Sequence, residues 1–309
     1  MRRPFGGWTV VLVGLLLCGC SCGNKNSSAN TEGGGGNYKD VAATFDDSEP
    51  AAADRKPVEG ADASKLSSAD QQRFEKLVDK LPSPCGKAHS LRTSRNTDAS
   101  CIRARPAVEY VLSLLTDGAT DKEVTDLYTG RYRKEQSKRT FKLSADVPHE
   151  GPADARVVMV EFFDFGCPAC QQFAPELAQV VEAYPTDVVV YYKQFPLAAH
   201  EFSRGAAQAA LAASRQGKYH EMHVLLFQNP QAHKKDDLVK YAQQIGLDMK
   251  KFESDFTAVA AQVEADKKEG DDAMVDSTPT LFINGRKYED PSIAKYVKMW
   301  VEEELAVNR

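Results

Sequence analysis

The chain has 309 residues, of which 42% are apolar and 27% are charged, and its net charge at pH 7 is -5. These proportions are typical of a globular protein with one large domain or two modest ones. Because the chain has no basic block and is slightly acidic overall, its composition argues against nucleic-acid binding.

The first 66 residues are predicted to be an export signal and a tether rather than part of the fold. An apolar run at 8–17 is too short to span a bilayer and follows two arginines, as in a secretory signal. The sequence LCGC at 17–20 resembles a bacterial lipobox, which implies cleavage before Cys20 and acylation of that residue. Residues 1–20 are therefore predicted to be a lipoprotein signal, with a plain cleaved signal peptide as the alternative. Residues 21–66, rich in Gly, Ser, Asn, Ala and Asp, are predicted to be a disordered tether.

Residues 67–140 are predicted to form a small helical region. A capping-box pattern at 68–71 opens a first helix, and an apolar stripe from Val108 to Leu115 marks a second. A further capping box, at 120–123, opens a third.

Two of the seven cysteines flank the polar loop of this region. Disulfides persist outside the cytosol, so Cys85 and Cys101 are predicted to form a structural disulfide. Their spacing of 16 residues suits a bridge that stabilises the fold by about 3 kcal/mol. A second redox couple that relays electrons to Cys167 is the alternative.

From Phe141 onward strands and helices alternate, which predicts an α/β domain over residues 141–309. The predicted elements are a strand at 157–163, a helix at 168–183, a strand at 188–192, a helical stretch at about 199–270, and a hairpin across Asn284-Gly285 with strands at 280–283 and 286–288. A last helix is predicted to open at Asp290, with Pro291 at its first position.

The stretch EFFDFGCPACQQFAPEL, residues 161–177, places two cysteines between a strand and a helix. Cys167 is predicted to lie at the helix N-terminus, where free N–H groups and the helix dipole stabilise a thiolate, and Cys170 lies one turn on. A zinc site would need four ligands, and no second CxxC exists, although His220 and His223 offer two nitrogens. A structural staple would close too small a loop to stabilise much. A redox couple, which needs no metal or other cofactor, is therefore favoured.

Several motifs accompany the CPAC sequence. They are the lead-in VPHEGPADARVVMVEFFDFG, Pro175 in the following helix, YYKQFPL at 191–197, and STPTLFINGR at 277–286. With them, residues 141–309 resemble the DsbA-like thiol:disulfide oxidoreductases of the thioredoxin superfamily, here in a bacterial lipoprotein form. The resemblance implies a thioredoxin-like fold with a DsbA-type helical insertion at about 199–270, preceded by the small helical region.

The resemblance implies which residues face the substrate. A cis peptide bond between Thr278 and Pro279 is expected to pack against the sulfurs and to leave the Thr278 backbone free to pair with a substrate strand. Pro168 and Ala169 are expected to contact the substrate beside Cys167. The strongest oxidants of the family have histidine where this chain has Ala169, so a less oxidising couple is expected.

The resemblance also implies a buried proton acceptor. Glu161 lies six residues before the first cysteine, at the position of an acid beneath Cys170 that helps this thiol to ionise. Lys193 matches a basic residue that can pair with that acid. Asp164 is an alternative candidate for the acid, whereas His200 is expected to start a helix.

These features predict an exported, lipid-anchored thiol:disulfide oxidoreductase on the periplasmic side of the cell envelope. Its expected partners are exported proteins with thiols or disulfides, a membrane redox partner that recycles it, and the membrane through the anchor. A disulfide isomerase or reductase of the same fold is an alternative. A non-catalytic peptide-binding or chaperone lipoprotein is another, although the intact cysteines and Pro279 argue against it.

Overall fold

The structure is a computed structural model that describes residues 56–132 and 138–308. A sheet of five strands, in the order β1-β3-β2-β4-β5, lies at the centre of this described part. The strands are β1 (His149–Glu150), β2 (Val157–Phe163), β3 (Val188–Gln194), β4 (Thr280–Ile283) and β5 (Arg286–Lys287). β2 and β3 are parallel, and all other neighbours are antiparallel. The β2–β3 connection therefore has to cross over through a helix.

The predicted signal segment, the lipidation site Cys20 and most of the predicted tether lie outside the described residues. The last part of that tether, from residue 56 to residue 66, is not a disordered segment as expected. Val58 and Leu66 are buried in the main core, because these apolar side chains pack against the helical region. Along the described residues, no helix is both long and apolar enough to cross a bilayer.

The helical region contains one helix more than the sequence predicts. Its helices are α1 (Ser68–Lys80), α2 (Leu91–Thr97), α3 (Ala104–Thr116) and α4 (Asp121–Tyr132). The cap of α1 lies one residue earlier than predicted, since the Ser67 hydroxyl accepts the N–H of Asp70. At α4, the Thr120 N–H donates to the Glu123 carboxylate and the Glu123 N–H donates to the Thr120 hydroxyl. This reciprocal pair is the capping box expected there.

Helix α2 lies in the loop between Cys85 and Cys101, whose sulfur atoms are bonded in the structure. Cys85 is exposed and Cys101 is buried. The helix has seven residues and no continuous apolar stripe, so the local sequence does not predict it. It is held by tertiary contacts instead, because buried Leu91 joins the core and the Arg92 guanidinium donates to the Asp79 carboxylate at 2.5 Å.

Replacing both Cys85 and Cys101 by alanine is expected to lower the free energy of unfolding by about 3 kcal/mol, since the bridge restricts the unfolded chain over a 16-residue separation. Urea unfolding followed by circular dichroism measures the change. The wild-type protein with this bridge reduced is the matched control and should lose a similar amount. An unchanged urea midpoint in the double variant would show that the disulfide does not stabilise this region.

Side chains of β2 alternate between two cores, as successive residues of a strand must. Val157, Met159 and Phe163 lie in the main core with helix α5 (Pro168–Ala183), while Val160 and Phe162 lie in a smaller core on the other face. Glu161 has the parity of the main-core residues. The same face of β2 therefore carries both the buried acid and the helix that begins at the CPAC sequence.

Five helices connect β3 to β4 within the part of the chain that the structure describes. They are α6 (Ser203–Ser214), α7 (Tyr219–Gln228), α8 (Lys235–Gln244), α9 (Met249–Ala258) and α10 (Ala260–Asp272). The predicted helical stretch at about 199–270 is thus a bundle inserted into the sheet-containing domain. Alanines of α6, which are buried with almost no exposed surface, let its neighbours approach closely.

The last helix, α11 (Ala294–Val307), starts later than predicted. Pro291 is not its first residue, and Asp290 does not cap it. Asp290 is buried and accepts hydrogen bonds from the Tyr110 hydroxyl and from the Trp300 indole N–H. Because these tertiary bonds hold the Asp290 carboxylate, the helix N-terminus is satisfied from outside, by the carboxylate of Glu176 on α5 at 2.7 Å from the Ala294 nitrogen.

A buried cluster of charges joins the helical region to α11. We call it the Arg131 cluster; it consists of three arginines and three acids, Arg103, Arg131, Arg286, Asp290, Glu303 and Glu304. The Arg131 guanidinium, with no exposed surface, donates to Asp290 at 3.0 Å and to Glu303 at 2.8 Å. Arg286 donates to Glu304 at 3.0 Å. Three positive charges are in contact with three negative charges, so the free-energy cost of burying each charge is offset by its partners.

Candidate active site

The loop between β2 and α5 presents the first cysteine at a helix N-terminus. Cys167 is the N-cap residue of α5, and Pro168 occupies the first turn, where a missing N–H costs nothing. The Cys167 N–H donates back to the Asp164 carbonyl at 3.0 Å, and its carbonyl accepts the Gln171 N–H at 3.1 Å. The sulfur of Cys167 therefore lies where unpaired backbone N–H groups and the helix dipole favour an anion.

The two cysteines differ in exposure and in acidity. Cys167 is 8% exposed and Cys170 is fully buried, and both are free thiols. A hydrogen bond from the Cys170 thiol, with smaller effects of Thr278 and of the Ala169 and Cys170 N–H groups, lowers the pKa of Cys167 to about 5, although burial opposes this. Cys167 is then largely a thiolate at neutral pH and is the better nucleophile.

Cys170 has the opposite character. Burial, then the bond to the Cys167 sulfur and the nearby charge of Glu161, raise the pKa of the Cys170 thiol far above its usual value. The Asp164 N–H, 3.5 Å from the Cys170 sulfur, partly offsets this. A thiol with so high a pKa stays protonated until a base takes the proton at the moment of attack.

Glu161 is the candidate for that base. It lies in β2 between Tyr192 of β3 and Leu281 of β4 and is almost completely buried. Burial, and secondarily the charge of Glu150, raise the pKa of Glu161 to about 8. Its charge also acts on the Cys170 thiol. Near neutral pH a carboxyl with this pKa can both accept and return a proton.

The prediction that Lys193 pairs with Glu161 is wrong. In the sheet, Lys193 stands opposite Phe162, so its side chain projects from the other face. There it forms ion pairs with Asp266 at 3.0 Å and Glu269 at 2.9 Å. Lys193 therefore anchors β3 to helix α10 and has no contact with the cysteine couple.

The Thr278–Pro279 peptide bond is cis and lies against the first cysteine. The Thr278 carbonyl oxygen lies 3.2 Å from the Cys167 sulfur and accepts a hydrogen bond from the thiol. Pro168 and Ala169 are exposed and Pro279 is partly exposed, so these residues line the approach to the Cys167 sulfur. The predicted substrate-facing residues are thus brought together around one sulfur atom.

The sequence reasoning missed how Asp164 and His200 are used. Asp164 does not lie below Cys170 as a free acid; its carboxylate accepts the His200 Nδ1–H at 2.7 Å and the Leu197 N–H at 2.8 Å. His200 lies in a turn, and the following helix begins only at Ser203. In the sequence, Gly166 is the sign of this arrangement, because a glycine directly before a cysteine at a helix N-terminus leaves room for a neighbouring side chain to approach.

The two histidines considered as zinc ligands serve other purposes. His220 is exposed and its Nδ1 lies 2.7 Å from a Glu150 carboxylate oxygen. His223 is buried among aromatic rings, including those of Phe227 and Tyr192, and burial lowers its pKa to about 3. In the described ranges, no group of three or more His, Cys, Asp or Glu residues is arranged to hold a metal ion.

A family model described as Thioredoxin matches residues 144–303, which is about half of the chain. The chain belongs to the thioredoxin family. The family match confirms the predicted membership of the thioredoxin superfamily, and the sheet with its α5 crossover and five-helix insertion confirms the predicted thioredoxin-like fold.

Two curated relatives are sodium/proton antiporters. The chain is 35% identical over 144 residues to "Na(+)/H(+) antiporter NhaA 3" of Salinispora tropica, covering 46% of this chain and 22% of that protein. It is 34% identical over 146 residues to "Na(+)/H(+) antiporter NhaA 1" of Mycobacterium sp. strain KMS, covering 46% and 24%. This member of the thioredoxin family therefore spans less than a quarter of the length of those relatives.

Solved structures similar to this thioredoxin-family chain include three bacterial proteins. A thioredoxin-like oxidoreductase from Silicibacter pomeroyi is 27% identical, with 52% of this chain and 92% of that chain covered and a TM-score of 0.48. BdbD from Bacillus subtilis is 22% identical, with 52% and 93% covered and a TM-score of 0.47. The catalytic domain of Proteus mirabilis ScsC is 25% identical, with 53% and 91% covered and a TM-score of 0.45.

Proposed function

We propose that the protein is a thiol:disulfide oxidoreductase that exchanges disulfides with other proteins through Cys167 and Cys170. The observation that carries this proposal is the asymmetry of the couple. One thiol is acidic, retains a small exposed fraction and lies beside Thr278, while the other is completely buried and strongly resists ionisation. A structural cysteine pair has no need for this difference, whereas exchange requires one attacking thiolate and one thiol that resolves the intermediate.

In the oxidising direction, a substrate thiolate attacks the Cys167 sulfur and the Cys167–Cys170 bond breaks. Cys170 leaves as a thiolate and takes the proton of Glu161. A second substrate thiolate then attacks the substrate sulfur of the mixed disulfide, and Cys167 leaves as a thiolate. The substrate loses two electrons and gains a disulfide, while the enzyme becomes a dithiol. In the reverse direction, the Cys167 thiolate attacks a substrate disulfide and one substrate thiolate leaves. Glu161 then accepts the Cys170 proton, Cys170 attacks the Cys167 sulfur, and the second substrate thiolate leaves.

The low pKa of Cys167 favours the oxidising direction, because a stable thiolate stabilises the reduced couple and makes the disulfide the stronger oxidant. The Ala169 side chain adds neither a charge nor a hydrogen-bond donor to the backbone N–H groups beside that thiolate, so a moderate oxidising strength is expected. A membrane redox partner would have to remove two electrons after each cycle. Reductase and isomerase activities of the same couple remain the alternatives that the reduction potential separates.

We further propose that the protein works on the periplasmic side of the cell envelope, held to a membrane by a lipid on Cys20. The signal-like and lipobox-like sequence of residues 1–20 supports this location. A disulfide between Cys85 and Cys101 fits a compartment where disulfides persist. The proposed substrates are accordingly exported proteins with thiols or disulfides.

Replacing Cys170 by alanine is expected to trap substrates as mixed disulfides at Cys167, since no resolving thiol remains. The variant is expressed as the full chain in a bacterial host. Exchange is stopped with acid, free thiols are alkylated, and adducts are separated by non-reducing electrophoresis. Adducts that disappear on reduction and are absent from the Cys167→Ala/Cys170→Ala control support exchange.

If the Cys170→Ala protein forms no adducts in a host whose exported proteins need disulfides, the proposed exchange is refuted. A peptide-binding or chaperone protein gives a different pattern. The double variant would still bind unfolded polypeptide without any covalent adduct, and loss of both cysteines would leave its function intact.

A further inference from the structure

Asp164 connects the two cysteines to a histidine outside the CPAC sequence. Its N–H lies 3.5 Å from the Cys170 sulfur, and its carbonyl accepts the Cys167 N–H at 3.0 Å. Its carboxylate is buried and accepts the N–H of Gly166 at 2.7 Å and the N–H of Leu197 at 2.8 Å. These two backbone donors fix the position of the carboxylate in the loop that carries the couple.

His200 is the side chain that faces this anion. Its Nδ1 lies 2.7 Å from Asp164 Oδ2, and because a carboxylate can only accept, Nδ1 carries the hydrogen. The ring is about one quarter exposed, so its other nitrogen is near solvent. His200 is therefore fixed in orientation on one side and open to water on the other.

The loop before Cys167 is shaped to admit this histidine. A Cβ added to Gly166 would lie 2.9 Å from the His200 Cβ and 2.5 Å from the Ser203 hydroxyl oxygen, closer than such contacts occur. That hydroxyl accepts the Gly166 N–H at 3.1 Å. His200 and Ser203 thus pack directly on the residue that precedes the reactive cysteine, and only glycine permits this approach.

We propose that His200 is a positioning residue that compensates the Asp164 charge beside the couple and thereby sets the redox equilibrium of Cys167 and Cys170. Neither Pro168 nor Ala169 has a charge, so a charged side chain that adjusts the couple lies outside the CPAC sequence. An uncompensated anion next to Cys167 disfavours a second negative charge on its sulfur. Removing His200 therefore weakens the thiolate and makes the disulfide a poorer oxidant. This inference rests on the proposed exchange function.

The test is the equilibrium of the full-length protein with reduced and oxidised glutathione at a fixed pH. His200→Gln, which keeps a donor but cannot be charged, is expected to shift the equilibrium about tenfold toward the Cys167–Cys170 disulfide. Asp164→Asn/His200→Gln, which lacks both the carboxylate and the imidazole, is expected to return to within about threefold of wild type. His89→Gln is the matched control, because His89 is similarly exposed and lies beside Asp98 in the helical region; no shift is expected there.

A purely structural role predicts another pattern. His200→Gln would then leave the equilibrium within about twofold of wild type, or the double variant would be displaced as far as His200→Gln alone. Either result overturns the proposal. If His200→Gln does not fold, Asp164→Asn alone decides, since loss of the anion should shift the equilibrium toward the dithiol, and no shift would refute the idea.

The glutathione equilibrium needs no protein substrate, so it is separable from the proposed function. Absence of trapped adducts with Cys170→Ala would refute exchange with proteins but would leave a measurable equilibrium. Failure of the wild-type couple to form any disulfide with glutathione would instead refute the redox function itself.

Discussion

Replacing Glu161 by glutamine is expected to slow the attack of Cys170 on a mixed disulfide at Cys167 by about 10²-fold at pH 8. The Cys170 pKa is raised far above its usual value, so this thiol attacks only when a neighbour accepts its proton. Glu161 has a pKa of about 8 and becomes a carboxylate as the pH rises through that value. The wild-type rate should therefore rise with a midpoint near pH 8 and then level off.

Reduced protein is mixed with oxidised glutathione, quenched with acid at set times, and analysed by mass spectrometry for the mixed disulfide and the internal disulfide. Glu161→Gln should show a long-lived mixed disulfide and no midpoint near pH 8. Glu150→Gln is the matched control. It keeps the base but removes a charge that raises the Glu161 pKa, so the maximal rate should persist while the midpoint moves to lower pH.

The pH dependence of the free energy of unfolding tests the protonation of Glu161 independently. The Glu161 pKa is raised from 4.5 to about 8 in the folded protein, so between these values the folded state keeps a proton that the unfolded chain releases. The wild-type free energy of unfolding should fall as the pH rises across that window, by an amount on the order of 5 kcal/mol. Glu161→Gln should lack this slope. A wild-type rate and slope in the variant would exclude Glu161 as the base.

Replacing Arg131 by methionine is expected to lower the free energy of unfolding by about 3–5 kcal/mol. The variant removes the cation from between Asp290 and Glu303 and leaves both carboxylates buried without it. Burial already raises the pKa of Asp290 with Arg131 present. Desolvation of the remaining charges, more than the loss of attraction, is the reason for the large effect.

Arg105→Met is the control for this variant. Arg105 lies on the same helical region, is 75% exposed and pairs with Glu109 at 2.9 Å, four residues on. An exposed pair of this kind contributes about 0.3–0.5 kcal/mol, so its loss should barely move the urea midpoint. If Arg131→Met cost no more than Arg105→Met, the Arg131 cluster would not hold the helical region to α11.

The sequence predicted those parts of the fold that local pattern determines. β2 has the predicted bounds, and Cys167 lies at the start of α5 because a strand, a short loop and an N-terminal proline leave little choice. The DsbA-like motifs identified the loop around Thr278. These features depend on residues that are close together in the sequence, so the local sequence pattern is sufficient to predict them.

Other features depend on which face a side chain occupies. β3 is buried on both faces, so its apolar run has no alternation to show that Lys193 and Glu161 point in opposite directions. The Asp164–His200 bond joins residues 36 positions apart through a turn with no recognisable motif. The residues next to Asp290 in the sequence predict that it caps a helix. Its carboxylate instead accepts hydrogen bonds from the distant side chains of Tyr110 and Arg131.

The Arg131 cluster also bears on the order in which parts of the chain can fold during synthesis. Arg131 and Glu303 are 172 residues apart, so the helical region reaches its final packing only after nearly the whole chain has emerged. Cys85 and Cys101 emerge well before α11 does. A bridge formed early between them would hold their loop closed until α11 is synthesised and Glu303 reaches Arg131.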